Sequence, residues 1–197
     1  RDPDHAFAGS DEEFVQTYPD ARKINASFSV FEAQRKEYAR LRGTCIEEDL
    51  FARDFTINAL AMDEKGILFS HPHTFSDLKD GVIRACNPDS LSIDPGRVFR
   101  AARFAAELPA FSIDSTLFEQ LEAIGKTAAL SRLPAERVSK EFLKALAAPC
   151  PGRFFQILRK GRCLLPWFRE FDAAASLPAG PWPWHAETTL EHIIETM

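Results

Sequence analysis

The sequence predicts an α+β protein: a small strand-bearing head comes first, and an all-helical neck and body follow. Two observations and their order carry this. The segment from about Phe7 to Met62 holds two stretches, Ser27 to Phe31 and Tyr38 to Leu41, in which apolar and polar residues alternate with the period of half-buried strands. From Leu50 onward apolar residues recur at spacings of three and four, the period of a helix with one buried face. Strands gathered first and helices gathered afterwards are the signature of a head with a separate helical part.

In chain order, Asp11 to Tyr18 reads as a short helix among the strands. Beyond Leu50 the helical sets are Phe51, Phe55 and Leu60; then Val98, Phe99, Ala102 and Phe104; then Val138, Phe142, Leu143 and Leu146; then Phe154, Phe155, Ile157 and Leu158. Breakers at His71-Pro72, Asn87-Pro88, Pro109, Pro134, Pro149-Cys150-Pro151 and Pro178 to Pro183 divide this part into helices of about 10 to 18 residues. The Pro/Trp-rich run Pro178 to Trp184 reads as a linker. The expected division is a head over 1–78, a neck over 79–130 and a body over 131–197.

With 197 residues and 45% hydrophobic content, the chain can bury one large core or two to three small ones. No stretch approaches the roughly 18 consecutive apolar residues of a membrane span. Arg1-Asp2-Pro3-Asp4-His5 lacks the charged-then-apolar pattern of a secretory signal, so a cytoplasmic location and no membrane partner are expected. Cys45, Cys86, Cys150 and Cys163 lie far apart without a CxxC pair. That spacing suggests neither a zinc site nor a disulfide framework; the thiols are expected to be reduced and mostly buried. A net charge of −5 excludes a uniformly positive surface, so an RNA substrate would require basic residues clustered locally.

Asp2 and Asp4 sit two apart, and in a strand such positions share a face, so their carboxylates can converge on a hard cation such as Mg²⁺. Phosphoryl transfer uses such pairs; the plain alternative is a solvated acidic terminus. Glu37, beside Tyr38 in a predicted strand, is placed to add a third carboxylate, with an ordinary exposed strand glutamate as the equal alternative. In the stretch Glu47 to Ala61, Arg53 offers a planar fork of donors to a triphosphate. Asp54 and Asn58, four apart on one helical face, suit a ribose or the arginine itself; otherwise they are a helix cap and a buried structural amide. In Ile93 to Ala106, Asp94 is a predicted N-cap with Pro95 at the first helical position. Arg97, Arg100 and Arg103 follow at spacings of three, over about a third of the helix circumference. Capping accounts for Asp94 but not for three arginines along one flank of an apolar helix. Arg137, Lys140, Lys144 and Arg153, with Arg159, Lys160 and Arg162, supply the local basic surface that RNA would need, unless they are simply a solvated face.

Four blocks carry a family resemblance. Glu47 to Ala61 closely resembles the signature EDL-x-RRDFTINALA. Phe75 to Arg84 is similar to G-x-x-DL-x-x-x-x-IR, with Thr74 or Phe75 where the glycine belongs. Ile93 to Ala106 resembles EDPLR-x-LRA-x-RFAA, with Ile93 in place of the glutamate and Gly96 in place of the leucine. Leu133 to Phe142 resembles x-x-ERI-x-x-E. These are the motifs of the bacterial CCA-adding tRNA nucleotidyltransferases and poly(A) polymerases.

The resemblance implies a polymerase-β-like nucleotidyltransferase head with a small mixed sheet, then the helical neck and body. It implies template-independent addition of CMP and AMP, from CTP and ATP, to the 3′ end of tRNA, as CCA or CC. Poly(A) tailing of RNA 3′ ends is the alternative within the same chemistry, and an inactive RNA-binding module is the alternative of another class. It further implies Mg²⁺ at Asp2 and Asp4, assisted by Glu37, and nucleotide contacts from Arg53, Asp54 and Asn58. Asp94 and Arg97 would read the base, while Arg100 and Arg103 support the phosphates and the motif; RNA contacts would come from Arg137, Lys140, Lys144 and Arg153. The family's G-G-x-V-R-D phosphate loop would lie before Arg1, and the connection from Arg42 to Glu47 is short where relatives that complete the CCA end carry a longer mobile loop. Trp184 to His192 resembles the entry to an HD phosphohydrolase domain, but His185 and His192 alone make no such site and read as surface or helix-end histidines.

Overall fold

Ser10 opens the first helix through a reciprocal cap: its hydroxyl accepts from the Glu13 N–H (3.1 Å), and the Glu13 carboxylate accepts from the Ser10 N–H (2.7 Å). Helix α1 (Asp11–Thr17) thereby turns Phe14 onto a four-stranded sheet. The structure, a computed structural model, describes residues 5–25, 29–181 and 186–197. The strands are β1 (His5–Phe7), β2 (Arg22–Asn25), β3 (Val30–Ala33) and β4 (Lys36–Arg40), in the order β1-β4-β3-β2. β1 is parallel to β4, and the other pairings are antiparallel, so the small sheet is mixed. Gln34 and Arg35, both with positive φ (51° and 62°), make the tight β3–β4 turn. Phe14 stacks on Phe7 at 4.2 Å and packs with Phe31 and Tyr38 as the head's own small core.

The expected helix at Asp11 to Tyr18 and strand at Tyr38 to Leu41 are present, each shifted by a residue or two. The strand expected over Ser27 to Phe31 is seen from Val30, and residues 26–28 lie outside the described residues. Helical structure directly after Leu50 is overturned. Helix α2 (Ile46–Ala52) ends there, Thr56–Asn58 forms one 3₁₀ turn, and β5 (Leu60–Met62) pairs with β6 (Leu68–Ser70). The apparent helical spacing runs across a break: Phe51 lies in α2, Phe55 in the connection just before the 3₁₀ turn, and Leu60 in β5. Helix α3 (Thr74–Asp80) then stops at Gly81, whose φ of 67° is the left-handed cap that glycine adopts without strain. Thr74, where the resembled motif has glycine, is buried and donates its hydroxyl to the Thr56 and Ala59 carbonyls (2.8 and 3.0 Å).

Strand β7 (Val82–Ile83) pairs with β8 (Ser112–Ile113); between them lie α4 (Ser90–Ile93) and α5 (Arg97–Glu107). Helices α6 (Ser115–Gly125), α7 (Ala135–Leu146), α8 (Gly152–Lys160), α9 (Arg169–Ala174) and α10 (Thr189–Thr196) complete the chain. Helix α5 is the axis: apart from Arg100 and Glu107 its residues are buried, and Ala101, Ala102, Ala105 and Ala106 let α7 and α8 approach closely. Phe154, Phe155, Phe142 and Phe168 interlock edge to face against it. This core runs without a break from Phe55 to Leu190, so residues 79–130 and 131–197 share one interior. A third, smaller cluster of Leu50, Ala59 and Cys86 joins α2 to the β5–β6 hairpin.

All four cysteines are free; Cys86 and Cys163 are buried, which pushes each thiol up to about 12, whereas Cys45 is exposed and Cys150 partly so. Burial of the thiols therefore holds for two of the four. Among the described residues no helix is long and apolar enough to cross a membrane.

Candidate active site

The edge of β4 leads into a closed turn. Gly43 takes a φ of 100°, the Arg42 N–H donates to Asp49 Oδ1 (3.1 Å), and the Thr44 N–H and hydroxyl donate to Glu48 Oε2 (2.6 and 3.0 Å). An open pocket at this place is lined by Ser29, Val30, Ala39, Arg40, Leu41, Arg42 and Gly43. Its lining draws on both faces of the sheet: Val30 and Ala39 share the face of Glu37, which is two residues from Ala39 on β4, whereas Ser29 donates to Asp11 of α1 (2.9 Å) on the face of Tyr38. Glu37 is exposed and stands opposite Glu32 across the β3–β4 ladder, and its carboxylate has no hydrogen bond or ion pair among the described residues. Asp2 and Asp4 lie outside the described residues; β1, whose first residue is His5, is the strand beside β4.

Asp54 and Asn58 do not share a helical face. The chain leaves α2 at Arg53 (φ −67°, ψ 171°), and the two side chains part. Arg53 braces that exit: Nε donates to buried Asp49 (3.1 Å), and Nη1 donates to the carbonyls of Asn58 and Leu60 (3.1 Å each). Asp54 accepts from the Phe55 N–H through Oδ1 (2.8 Å) and from Arg100 through Oδ2 (2.7 Å to Nε). Asn58 is exposed, and its side chain makes no hydrogen bond among the described residues.

Asp94 caps in substance, but the helix starts later than expected. Asp94 ends α4, its Oδ1 accepts from the Gly96 N–H (3.1 Å), and α5 is regular from Arg97. The three arginines of α5 meet three different partners. Buried Arg97 donates to the Ala52 carbonyl (2.8 Å) and Ser90 Oγ (2.6 Å), with Nε 3.8 Å from Asp94 Oδ2. Desolvation lowers its pKa, opposed by the charges of Asp54 and Asp94. Arg100 bridges Asp54 to Glu141 (3.4 Å). Buried Arg103 donates to Glu141 Oε2 (2.6 Å) and Glu107, and lies over the Phe104 ring at 4.0 Å. The result is a row of alternating charges from the head segment at Asp54, across α5, to Glu141 of the body helix α7.

On α7 the buried side carries Val138, Glu141 and Ala145, and Arg137, Lys140 and Lys144 fall at spacings of three and four along the adjoining exposed flank. Arg137 Nη2 pairs with Asp94 Oδ2. Arg153 turns inward instead, donating to the carbonyls of Leu108, Pro109 and Phe111.

These features match known proteins. Residues 12–84 match the poly(A) polymerase head domain, and residues 110–175 match the probable RNA- and SrmB-binding site of polymerase A. The multifunctional CCA protein of Vibrio vulnificus (strain YJ016) is 39% identical over 144 residues, 72% of this chain and 35% of that protein. The corresponding protein of Pseudoalteromonas atlantica is 36% identical over 168 residues, 84% of this chain and 40% of that protein. The chain belongs to the poly(A) polymerase and tRNA nucleotidyltransferase family. A Thermotoga maritima CCA-adding enzyme complexed with tRNA superposes with a TM-score of 0.68 at 28% identity, over 81% of this chain and 42% of that one. A CCA-adding enzyme complexed with ATP superposes with the same TM-score at 27% identity, over the same shares of the two chains. The chain thus spans about a third to two fifths of the length of these relatives, and its α+β architecture is the family's nucleotidyltransferase head with helices behind it.

Four residues that bind this family site together escaped the motif reading. Asp49 and Arg42 anchor the turn after β4, the Ala52 carbonyl accepts from both Arg42 (3.0 Å) and Arg97, and Glu141 holds two arginines. Glu141 left a readable trace, a lone carboxylate on the apolar side of α7 between Val138 and Ala145. Ala52 left none, because it stands where the signature has an arginine and acts through its backbone.

Proposed function

We propose that the protein is a template-independent nucleotidyltransferase that adds CMP and AMP, from CTP and ATP, to the 3′ end of tRNA. The observation that carries this is the row Asp54–Arg100–Glu141–Arg103, which gathers three blocks distant in sequence around one helix, α5, with Asp94 in the turn just before it. The relatives' names point the same way: CCA proteins by sequence, and CCA-adding enzymes solved with tRNA, ATP or CTP by structure. In this reading residues 1–78 are the catalytic head, 79–130 the neck that selects the base, and 131–197 the start of the RNA-binding body.

Mg²⁺ fits the donor set. Glu37 is an exposed carboxylate without an internal cation, on the strand next to the one that follows Asp2 and Asp4, and hard oxygen donors suit that ion. Asp2, Asp4 and Glu37 would hold Mg²⁺, whose charge would favour deprotonation of a 3′-hydroxyl and offset the charge of departing pyrophosphate. The chain's own residues do the positioning. Arg42 borders the pocket and attracts the triphosphate, while Arg40, on the opposite face of β4 from Glu37, lies 3.9 Å from Asp11. Asn58 is free to meet the ribose, and Arg53 and Asp54 keep that segment and α5 in register. Asp94 and Arg97 mark the base-selecting region at the start of α5, Asp94 in the turn before the helix and Arg97 buried behind it, with Arg100 and Arg103 holding the helix in place. Lys140 and Lys144 extend the basic flank that begins at Arg137 toward RNA, and Arg153 shapes the turn at residues 108–111 beside it.

The test is incorporation of labelled CMP into tRNA lacking its CCA end. Asp2→Ala, Asp4→Ala in the full-length protein should abolish incorporation while the far-ultraviolet spectrum and thermal midpoint stay near wild type. Near-normal incorporation by that double variant would defeat the assignment.

A further inference from the structure

At the base-selecting end of α5 this chain departs from the motif it resembles: Gly96 replaces a leucine, and the exposed Ile93 replaces a glutamate. The glycine has a spatial consequence. A Cβ at position 96 would lie 2.5 Å from Arg137 Cζ, 2.6 Å from Nε and 2.7 Å from Nη2. The Arg137 guanidinium therefore sits where a leucine side chain would begin. From that seat its Nη2 donates to Asp94 Oδ2, and the pair stays in contact with solvent, with side chains 43% and 28% exposed. Arg97 is in the opposite situation. Its side chain is 7% exposed, and its guanidinium is held by the Ala52 carbonyl and the Ser90 hydroxyl. Arg97 could turn outward only by giving up these bonds, whereas the Arg137 guanidinium has that one hydrogen bond among the described residues.

We infer that Arg137, seated over Gly96, is the donor that reads the nucleotide base beside Asp94, and that Arg97 serves as the buried support beneath them. This rests on the nucleotidyl-transfer reading above. The chemistry is that of paired edges. Asp94 accepts, and Oδ2 keeps lone-pair capacity beyond its bond to Arg137; Arg137 donates, and a guanidinium has five N–H groups. An acceptor beside a donor complements an exocyclic amine beside an unprotonated ring nitrogen, the edge that cytosine and adenine share. Uracil and guanine present the reverse, a carbonyl beside an N–H, which would set carbonyl oxygen against carboxylate and N–H against guanidinium. Mismatched polar groups in a partly dry site are what make such discrimination steep.

The clashing atoms at position 96 belong to the far end of a flexible side chain, so Gly96→Leu can fold by moving Arg137 aside. That makes a test possible without deleting any charged group. With full-length protein, Mg²⁺ and tRNA lacking CCA, kcat/KM is measured for CTP, UTP, ATP and GTP in wild type, Arg137→Ala, Arg137→Lys and Gly96→Leu. The CTP:UTP and ATP:GTP ratios should each fall at least about tenfold in Arg137→Ala and Gly96→Leu. Arg137→Lys, which keeps the charge but not the fork, should lie between them and wild type, and thermal midpoints should move little. Ratios unchanged in Gly96→Leu and Arg137→Ala would return the role to Arg97. A uniform fall would reduce Arg137 to a neck-to-body ion pair, and a uniform rise would make it a lock on Asp94; either overturns the inference. Equilibrium binding of CTP and UTP without RNA repeats the comparison independently of turnover. Wild type that prefers CTP but transfers nothing would refute the transfer reading alone, and the effect of Arg137→Ala on that preference would still decide this one.

Discussion

His71 shows how far a single side chain is determined by its surroundings. It is buried, its Nδ1 accepts from the His73 N–H (3.2 Å), and its Nε2 lies 3.1 Å from the Cys86 carbonyl. Both contacts are satisfied by one arrangement, the neutral ring with its proton on Nε2. Adding a proton at Nδ1 would set two N–H groups against each other, and burial already holds the pKa below its ordinary 6.5. A histidine whose folded pKa is lowered contributes stability that is fully present above the unfolded value and is lost as pH falls below about 6.5. Urea midpoints should therefore drop between pH 7.5 and pH 5, and His71→Gln should flatten that part of the profile. An unchanged slope in the variant would assign the dependence to another group. None of this was legible in the sequence, where His71-Pro72 appears only as a helix breaker; the partners come from residue 73 and, through the backbone, residue 86. The same limit explains Arg53. Its fork of donors was recognisable, but the carbonyls of Asn58 and Leu60 that occupy it appear only once the chain leaves α2.

At the level of elements, α5 depends on its partners more than on its own propensity. Two buried or half-buried arginines converge on Glu141, which is 7% exposed. Removing one partner of a buried charge group leaves the others uncompensated, at a cost of about 3 kcal/mol. Glu141→Gln should lower stability by about that amount in denaturant titrations; a change below about 1 kcal/mol would show that Arg100 and Arg103 are held by Asp54 and Glu107 alone. The exposed flank of the neighbouring α7 should behave differently. Lys140→Ala with Lys144→Ala should leave stability nearly unchanged, weaken tRNA binding, and reduce the steepness of its salt dependence by about one unit for each phosphate that the lysines neutralise. An unaltered slope would identify both lysines as plain solvated surface. The sequence located α5 and α7 well, since periodicity and the prolines before them mark amphipathic helices. It also marked the arginines at spacings of three. It did not show that their flank is interior, because an arginine facing water and one facing a distant glutamate share the same spacing.

For the molecule as a whole, the order of strands and then helices was readable, and the error was local: short strands at 60–62 and 68–70, joined by a turn with Gly66 at φ 83°, look helical when their apolar residues are counted across turns. The continuous interior from Phe55 to Leu190 was not readable, since nothing in composition marks which helices share a core. That interior matters for the product. It joins α5, which begins just after Asp94, firmly to the helix bearing Lys140 and Lys144, so in the proposed function the base-selecting end and the basic flank would keep a constant separation while an RNA end is extended. A constant separation suits a compact RNA held by its body and extended by a measured number of nucleotides, whereas long tailing needs a surface along which a strand can slide. The short connection after Arg42 points further. It is drawn tight by the bonds of Arg42 to Asp49 and Ala52 and of Thr44 to Glu48, with no long segment between β4 and α2 to change the fit from one nucleotide to the next. The expected product is therefore tRNA extended by two cytidines, with little adenylation. Full-length protein incubated with tRNA lacking CCA, with CTP and ATP together and separately, would resolve the outcomes on a sequencing gel. Addition of a terminal adenosine at a rate comparable to the cytidines would show that the tight turn does not restrict nucleotide choice. Extension by tens of adenosines without CTP would replace the tRNA reading with poly(A) synthesis, because a tail of that length cannot grow from an RNA held at a constant distance from the site.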